Sequence, residues 1–197
     1  AERLARRLPA VVAVVHGVFS SWEADALREL VEARGHWKHA NGKGRTGFIA
    51  ELHVPGLARD LWRRVAQRLP LDSRALGLSE HLRFLKYGPG DFFAPHEDGS
   101  QNYTMDNGVW ARSVYSALLY LTEPEGGDGA GGTRFIAPDC PACAERGRCE
   151  DRCNCCVDAP VTKGSLLVFA QALLHAGTTP RSCEKFVMRT DVMFATG

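Results

Sequence analysis

A chain of 197 residues is long enough to bury a hydrophobic core of its own. Hydrophobic residues make up 45% of it and charged residues 24%, and a net charge of +1 gives no electrostatic reason to expect nucleic acid as a partner. No run of about 18 apolar residues occurs, so the sequence predicts no membrane-spanning segment and no membrane partner.

The first seventy residues carry the patterns of one strand and two helices. Val11 to Val15 is a valine-rich run that predicts a strand. The sequence Ser-Ser-Trp-Glu at 20–23 has the form of a capping box, and helical spacing of apolar residues then predicts a helix over 21–34. The glycine-rich stretch 40–47 is typical of a loop. A second helix is expected over 55–69, where apolar residues line one face before a proline.

From Leu82 onward the pattern changes to short strands separated by glycine-rich or polar turns. The strand-like runs are Leu82 to Tyr87, Ser113 to Leu121, Thr133 to Ile136, Ser165 to Phe169 and Lys185 to Phe194. Two helices followed by many strands indicate the α+β class, with the helices packed on one side of a sheet sandwich or barrel. The chain shows no internal repeat and no low-complexity linker, so residues 1–197 are expected to form a single domain.

A candidate metal site begins at His96 and Asp98. Side chains two residues apart in an extended chain point to the same side, so this imidazole and this carboxylate share one face. They would supply two ligands of a 2-His-1-carboxylate iron site, which leaves the opposite side of the metal open. His175, which follows the strand at 165–169, is the candidate for the third ligand. A His-x-Asp pair by itself is more often a pair of surface polar residues, and the spacing leaves that alternative open.

Several longer segments, in a fixed order, resemble the prolyl 4-hydroxylase-like family of 2-oxoglutarate/iron(II) dioxygenases. Residues 11–30 are similar to the family's opening strand and helix, and residues 82–98 to its approach to the His-x-Asp pair. Residues 116–122 resemble its central strand. Residues 130–135 resemble its Gly-Gly-x-Thr-x-Phe turn, with Ala130 in place of the first glycine, and residues 163–177 resemble the strand and turn carrying its distal histidine.

The resemblance implies a double-stranded β-helix (jelly-roll) barrel with the two helices flanking it. It also implies that His96, Asp98 and His175 bind Fe(II) and act in catalysis, and that 2-oxoglutarate and O2 are co-substrates. Ascorbate is a further candidate cofactor. The implied reaction hydroxylates a C–H bond and releases succinate and CO2.

The far carboxylate of 2-oxoglutarate requires a cation inside the barrel. By the resemblance, Lys185, ten residues after His175, takes this role, and the Tyr87 hydroxyl reaches the same carboxylate. Arg189 is the alternative cation, because an arginine matches a carboxylate with two parallel hydrogen bonds. The polar stretch 99–112 is expected to be a lid over the site, with residues 41–46 forming the other lip.

A cysteine-rich segment at about 139–158 stands where the family has a short connection, and it is the clearest departure from the family pattern. Four of its six thiolates could hold a structural zinc ion in tetrahedral geometry. Three local disulfides or a redox-sensitive loop are the alternatives. Zinc would favour an intracellular location. The six cysteines are Cys140, Cys143, Cys149, Cys153, Cys155 and Cys156, of which Cys140, Cys143 and Cys153 are the first choices as ligands.

Three functions are compatible with these patterns. The first is hydroxylation of a peptidyl residue, most simply proline, which the resemblance favours. The second is hydroxylation of a free amino acid or another small metabolite by the same site. The third is a catalytically silent, zinc-stabilised binding module, which would have no need to keep His96, Asp98, His175 and Lys185 together. The sequence does not indicate an oligomeric state.

Overall fold

The computed structural model describes residues 12–71, 73–125, 130–137 and 156–196, and the elements below belong to those ranges. Two α-helices lie in the N-terminal third, α1 (Ser21–Arg34) and α2 (Pro55–Val65), and a 3-10 helix (Ala66–Arg68) follows α2. The described strands are β1 (Val12–Val15), β2 (Lys38–His39), β3 (Phe48–His53), β4 (Ala75–Leu78), β5 (His81–Tyr87), β6 (Phe93–His96), β7 (Asn102–Thr104), β8 (Trp110–Tyr120), β9 (Thr133–Ile136), β10 (Cys156–Asp158), β11 (Leu166–Ala170), β12 (His175–Gly177) and β13 (Lys185–Ala195).

These strands form two antiparallel sheets. The larger sheet has the order β1-β11-β8-β13-β5-β3-β2, with β4 paired to β13 and β7 paired to β8, and the smaller has the order β10-β9-β12-β6. The chain changes sheets at β5 to β6, β6 to β7, β8 to β9, β10 to β11, β11 to β12 and β12 to β13. This alternation is the winding of a jelly roll, so the predicted α+β fold with flanking helices is confirmed. No ladder joins the described strands of the two sheets, so the jelly roll is open and not a closed barrel.

One face of the larger sheet packs against the two helices. Leu82 and Phe84 of β5 and Phe186 and Met188 of β13 are fully buried in one apolar cluster with residues of α1 and α2. Alternation along these strands sends the intervening side chains to the opposite face. The functional residues of β13 therefore lie on the side that faces the smaller sheet.

The opposite face of the larger sheet packs against the smaller one. Leu118, Tyr120 and Val187 form a buried cluster there with Phe135 of β9, and the Phe135 and Phe169 rings meet edge to face at 5.2 Å between centroids. This apolar packing holds the two sheets at a constant separation. The candidate site lies in the same space between the sheets.

Both α1 and α2 form where the sequence predicts them, but α2 is shorter than predicted. The backbone N–H of Glu23 donates to Ser20 Oγ at 3.2 Å, and the Glu23 carboxylate accepts from the Ser20 N–H at 2.8 Å, which completes the capping box. The helix expected over 55–69 is α-helical only to Val65, and its last turn tightens into the 3-10 helix. No helix in the described ranges is long and apolar enough to cross a membrane.

The segment 99–112, which was expected to be a lid loop, contains β7, and this strand pairs with the start of β8. Tyr103 at its centre is half-buried, and its hydroxyl donates to Ser79 Oγ at 2.9 Å. This segment is therefore a hairpin attached to the edge of the larger sheet. The expectation of a loop is therefore wrong over Asn102–Thr104, and the lid role stays a prediction.

Candidate iron and co-substrate site

The three candidate metal ligands converge at one point between the sheets. β12 pairs antiparallel with β6 and sets His175 directly opposite His96, and Asp98 lies two residues beyond the end of β6. Their ligand atoms all lie within 4.8 Å of one another. The Asp98 carboxylate oxygens are 3.6 Å from His96 Nε2 and 3.7 Å from His175 Nε2. The predicted constellation is thus brought together from residues up to 79 positions apart, His96 and His175.

Each imidazole is oriented by a hydrogen bond to the backbone carbonyl oxygen two residues before it. His96 Nδ1 lies 2.8 Å from the Ala94 carbonyl oxygen, and His175 Nδ1 lies 2.8 Å from the Leu173 carbonyl oxygen. A carbonyl oxygen only accepts, so Nδ1 carries the proton in each ring and the unprotonated Nε2 points toward the shared centre. Burial and the neighbouring His96 also lower the pKa of His175 to about 4, which keeps this imidazole neutral at neutral pH.

Asp98 is held as a carboxylate by its neighbours. Ser116 Oγ of β8 donates to Oδ2, and Arg189 Nη1 of β13 lies 2.9 Å from Oδ1. Burial opposes ionisation, but the Arg189 charge and the Ser116 hydrogen bond hold the pKa of Asp98 well below its usual range. Two neutral imidazoles and one ionised carboxylate are the donor set of 2-His-1-carboxylate iron(II) sites, so these residues fit iron.

Beside the metal ligands lies a pocket closed by a buried cation. Its walls include Tyr87, Phe93, Thr133 and Gly177, with Lys185 at the end away from Arg189. The Lys185 ammonium is buried, and it donates to the Gly132 carbonyl oxygen. Burial, and secondarily the charge of Arg45, lower its pKa to about 7.

Lys185 and Arg189, the two candidate anchors for the co-substrate, differ in their ion pairs. No acidic side chain in the described part of the chain lies within ion-pair distance of Lys185, whereas Arg189 pairs with Asp98 and lies 3.4 Å from Asp191 Oδ1. A buried cation without a counter-charge is costly. Lys185 therefore fits a carboxylate that arrives with a ligand, and Arg189 already has its anions.

Some residues at the site carried no signal in the sequence. The Phe93 ring stacks on the His96 ring at 3.6 Å between centroids. The Arg45 guanidinium in turn lies over the Phe93 ring, 4.5 Å from its centroid. Ser116 lay inside a recognised strand motif, but only the register of β8 with β13 places it near Asp98. Stacking and register are tertiary properties, so no spacing in the chain could have indicated them.

A polar groove of about 380 Å³ adjoins the metal site on its other side and shares Arg189 with it. Apart from Arg189, its residues had no predicted role, and most of them come from β3, β5, β7 and β13. Arg83 Nε and Glu51 Oε1 pair across it at 2.8 Å, and Asp191 lines its inner end. The groove thus offers both cationic and anionic groups close to the metal ligands.

Most of the cysteine-rich segment lies outside the described residues. This applies to Cys140, Cys143, Cys149, Cys153 and Cys155, for which the zinc and disulfide expectations stay predictions. Cys156 opens β10, which pairs with β9, so the segment enters the fold next to the strand that also carries Phe135.

Comparison with known sequences gives one clear result. The family model described as the 2OG-Fe(II) oxygenase superfamily matches residues 82–190, which is more than half of the chain and includes every residue of the candidate site named above except Arg45, Glu51 and Asp191. No curated protein sequence matches the chain.

Solved structures with the same fold include two named as prolyl hydroxylases. A Pseudomonas putida prolyl-4-hydroxylase is similar over 100% of this chain and 97% of its own, with a TM-score of 0.63 and 19% identity. A viral collagen prolyl hydroxylase from Paramecium bursaria Chlorella virus-1 covers 93% and 96%, with a TM-score of 0.58 and 18% identity. HygX from Streptomyces hygroscopicus, solved with nickel, 2-oxoglutarate and hygromycin B, covers 99% and 87%, with a TM-score of 0.64 and 16% identity. At identities this low, these similarities show the fold alone.

Proposed function

Because this chain belongs to the 2OG-Fe(II) oxygenase superfamily and is therefore an oxidoreductase, we propose that it hydroxylates a C–H bond at the site described above. The observation that carries the proposal is the convergence of His96, Asp98 and His175 on one point beside an unpaired buried lysine. In this proposal the three side chains hold Fe(II), and Lys185 with Tyr87 holds the far carboxylate of 2-oxoglutarate. Iron(II), 2-oxoglutarate and O2 together supply the oxidation, with succinate and CO2 as by-products.

The protein's own contribution is to orient ligands and exclude water. Ser116 and Arg189 fix the Asp98 carboxylate, and the two backbone carbonyls fix the imidazoles, so little reorganisation is needed when the metal binds. Phe93, Leu118 and Val187 line the pocket between the ligands and Lys185. Their apolar surfaces keep water from competing for the reacting centre.

For the substrate we favour a peptidyl residue, most simply proline. The family resemblance supports this choice, as do the names of the Pseudomonas putida and viral relatives, although those names describe those proteins alone.

A specific observation supports a second candidate, a polar small molecule such as a free amino acid. The groove beside the metal ligands carries Arg83, Arg189, Glu51 and Asp191 on its walls, which suits a substrate with several charged or hydrogen-bonding groups. HygX, whose structure holds hygromycin B, has the same fold. A proline-containing peptide library and a pool of small metabolites, each incubated with enzyme and read by mass spectrometry for a 16-dalton gain, would separate the two.

Succinate formation from 2-oxoglutarate tests the activity without knowledge of the substrate. The purified protein, supplied with Fe(II) and O2 with and without ascorbate, is expected to release succinate slowly. His175→Ala should abolish this turnover and leave the circular-dichroism spectrum unchanged. His36→Ala, which removes an exposed imidazole, is the matched control and should retain full turnover. Absence of both turnover and 2-oxoglutarate binding in the wild-type protein would instead indicate a silent binding module.

A further inference from the structure

Arg45 lies in a turn that the backbone attaches to the mouth of the pocket. The Gly42 N–H donates to the Arg45 carbonyl at 2.9 Å, and Arg45 forms a bridge with Phe93 at the start of β6. The Ala94 N–H donates to the Gly44 carbonyl at 2.8 Å, and the Thr46 N–H donates to the Phe92 carbonyl at 3.0 Å. These bonds set the position of the Arg45 side chain, although the surrounding stretch reads as a loop in sequence.

The Arg45 guanidinium points inward and lacks an anion. Its Cζ lies 4.5 Å from the Phe93 ring centroid and 5.5 Å from the Tyr87 ring centroid. Its Nε and Nη2 are buried and have no hydrogen-bond partner, and no carboxylate in the described ranges lies within ion-pair distance of it. Buried N–H groups of a cation are expensive to leave unpaired, so a ligand is expected to satisfy them.

Arg45 and Lys185 share their neighbours. The Lys185 Nζ also lies 5.5 Å from the Tyr87 centroid, and a methyl group placed on Gly177 would lie 3.6 Å from that Nζ and 3.3 Å from Phe93 Cβ. The Arg45 charge is also one of the two causes that lower the pKa of Lys185. Both cations thus lie against the Tyr87 ring, and no acidic side chain in the described part of the chain pairs with either of them, an arrangement that an anionic ligand would stabilise.

We propose that Arg45 and Lys185 together bind the far carboxylate of 2-oxoglutarate, an inference that rests on the function proposed above. The keto acid end of the co-substrate belongs at His96, Asp98 and His175, so its other end reaches the side of the pocket where Lys185 lies. The mixed-charge groove lies on the opposite side, beyond Arg189. A guanidinium contributes two parallel donors, whereas the lysine contributes a point charge, so the pair can satisfy both carboxylate oxygens.

Binding of two ligands to the Mn(II)-loaded protein, measured by calorimetry without O2, tests this inference. One ligand is 2-oxoglutarate, and the other is 2-oxopentanoate, in which a methyl group replaces the far carboxylate. Arg45→Gln is expected to raise the Kd of 2-oxoglutarate about tenfold and that of 2-oxopentanoate less than about twofold, because only the first ligand loses a charged hydrogen bond. Lys43→Gln removes an exposed cation from the same turn and should leave both values unchanged.

The controls distinguish failure of this inference from failure of the proposed function. If Arg45→Gln weakens both ligands equally, or Lys43→Gln acts like Arg45→Gln, the arginine only shapes the turn or adds general charge, and the inference is wrong. The inference also fails if Lys185→Ala weakens 2-oxoglutarate binding while Arg45→Gln has no effect on it. If the wild-type protein binds Mn(II) but not 2-oxoglutarate, the proposed function itself is contradicted.

Discussion

At the scale of single residues, the two cations of β13 differ in what neutralises them. Arg189 is paired with Asp98 and Asp191 inside the protein, whereas the acceptor of the buried Lys185 ammonium is a carbonyl oxygen. Among the described residues, the positive charge of Lys185 therefore has no anionic partner. This difference yields three predictions about Lys185.

Lys185→Ala should raise the Kd of 2-oxoglutarate by about 10- to 100-fold, because a charged hydrogen bond to the far carboxylate is lost. The Mn(II) affinity should stay within about threefold, since Lys185 does not touch a metal ligand. Arg189→Ala should leave 2-oxoglutarate affinity nearly unchanged. Calorimetry on the three proteins makes the comparison, and a loss of 2-oxoglutarate binding in Arg189→Ala alone would reverse the assignment of the anchor.

The depressed pKa of Lys185 predicts a pH dependence of co-substrate binding. Burial and the charge of Arg45 lower this pKa to about 7, so above pH 7 the ligand-free protein has lost the proton that the carboxylate needs. The Kd of 2-oxoglutarate should be flat below pH 7 and rise above it, by up to about tenfold per pH unit. Lys185→Arg should remove the rise, since arginine keeps its proton. A wild-type Kd that is constant from pH 6 to 9 would contradict this prediction.

The same shift has an opposite effect on the stability of the ligand-free protein. The unfolded chain holds the Lys185 proton with an ordinary lysine pKa of about 10.4. Between pH 7 and that value the unfolded state binds more protons than the folded state, so the free energy of unfolding should rise with pH in this window. The buried charge thus costs stability below pH 7, where a bound carboxylate would offset it.

At the scale of elements, a few close backbone contacts join the N-terminal segment to the jelly roll. Val18 and Phe19 donate their N–H groups to the Gly164 carbonyl, each at 3.0 Å, just before β11. Gly164 has a φ of +79°, and a Cβ there would lie 2.1 Å from the Phe19 carbonyl oxygen. This contact allows no side chain, so Gly164 is required by a close approach of two backbones.

Gly164→Ala should lower the free energy of unfolding by about 3 kcal/mol, since it adds a backbone clash to the strain of a positive φ. Gly17→Ala is the matched control: Gly17 has a φ of +64°, but open space surrounds the position of its missing Cβ. It should cost only about 1 kcal/mol. Urea unfolding of both variants measures the difference, and equal losses would show that the contact with Phe19 has no weight.

For the cysteine-rich segment, zinc binding stays a prediction from the sequence alone. If it binds structural zinc, the purified protein should contain about one zinc ion per chain, and Cys140→Ser should remove it. Cys183→Ser, which changes a cysteine outside the segment, should retain the metal. Elemental analysis measures the zinc content. Absence of zinc together with six thiols blocked in the unreduced protein would favour three disulfides instead.

At the scale of the whole molecule, the packing of the two sheets and the geometry of the metal ligands depend on each other. Phe135 of β9 is buried between the sheets, and β9 pairs with β12 so that Phe135 lies opposite His175. Phe169 of the larger sheet lies edge-on to the His175 ring at 4.6 Å. The same apolar contacts therefore hold the sheets together and position a candidate iron ligand.

Phe135→Ala should lower the free energy of unfolding by about 3 kcal/mol, because it leaves a cavity between the sheets. It should also weaken Mn(II) binding, since His175 loses part of its support. Trp22→Ala, which truncates a large side chain that is 76% exposed, should cost less than about 0.5 kcal/mol and leave metal binding intact. A destabilised Phe135→Ala protein with unchanged metal affinity would show that the ligand geometry is independent of sheet packing.

Much of this architecture was accessible from local patterns. The capping box at Ser20, the alternation along β13 and the pairing of His96 with Asp98 are properties of neighbours in the chain, and period or spacing reveals them. Seven strands were not predicted, namely β2, β3, β4, β6, β7, β10 and β12. All but β3 have two to four residues, which carry too little pattern, and β4, β6 and β12 are held by partners distant in sequence.

The sequence by itself determined the fold class and pointed to the three candidate metal ligands, because these depend on residue type, local periodicity and motif order; the preference for Lys185 over Arg189 stays a prediction. Tertiary structure alone decided that Arg189 pairs with Asp98 and that the Arg45 guanidinium lies against Tyr87, the ring that also contacts Lys185. It also opened the polar groove next to the metal ligands. Charge compensation and cavity shape depend on which distant strands become neighbours, and that pairing is set by the burial of the whole chain and not by any segment of it.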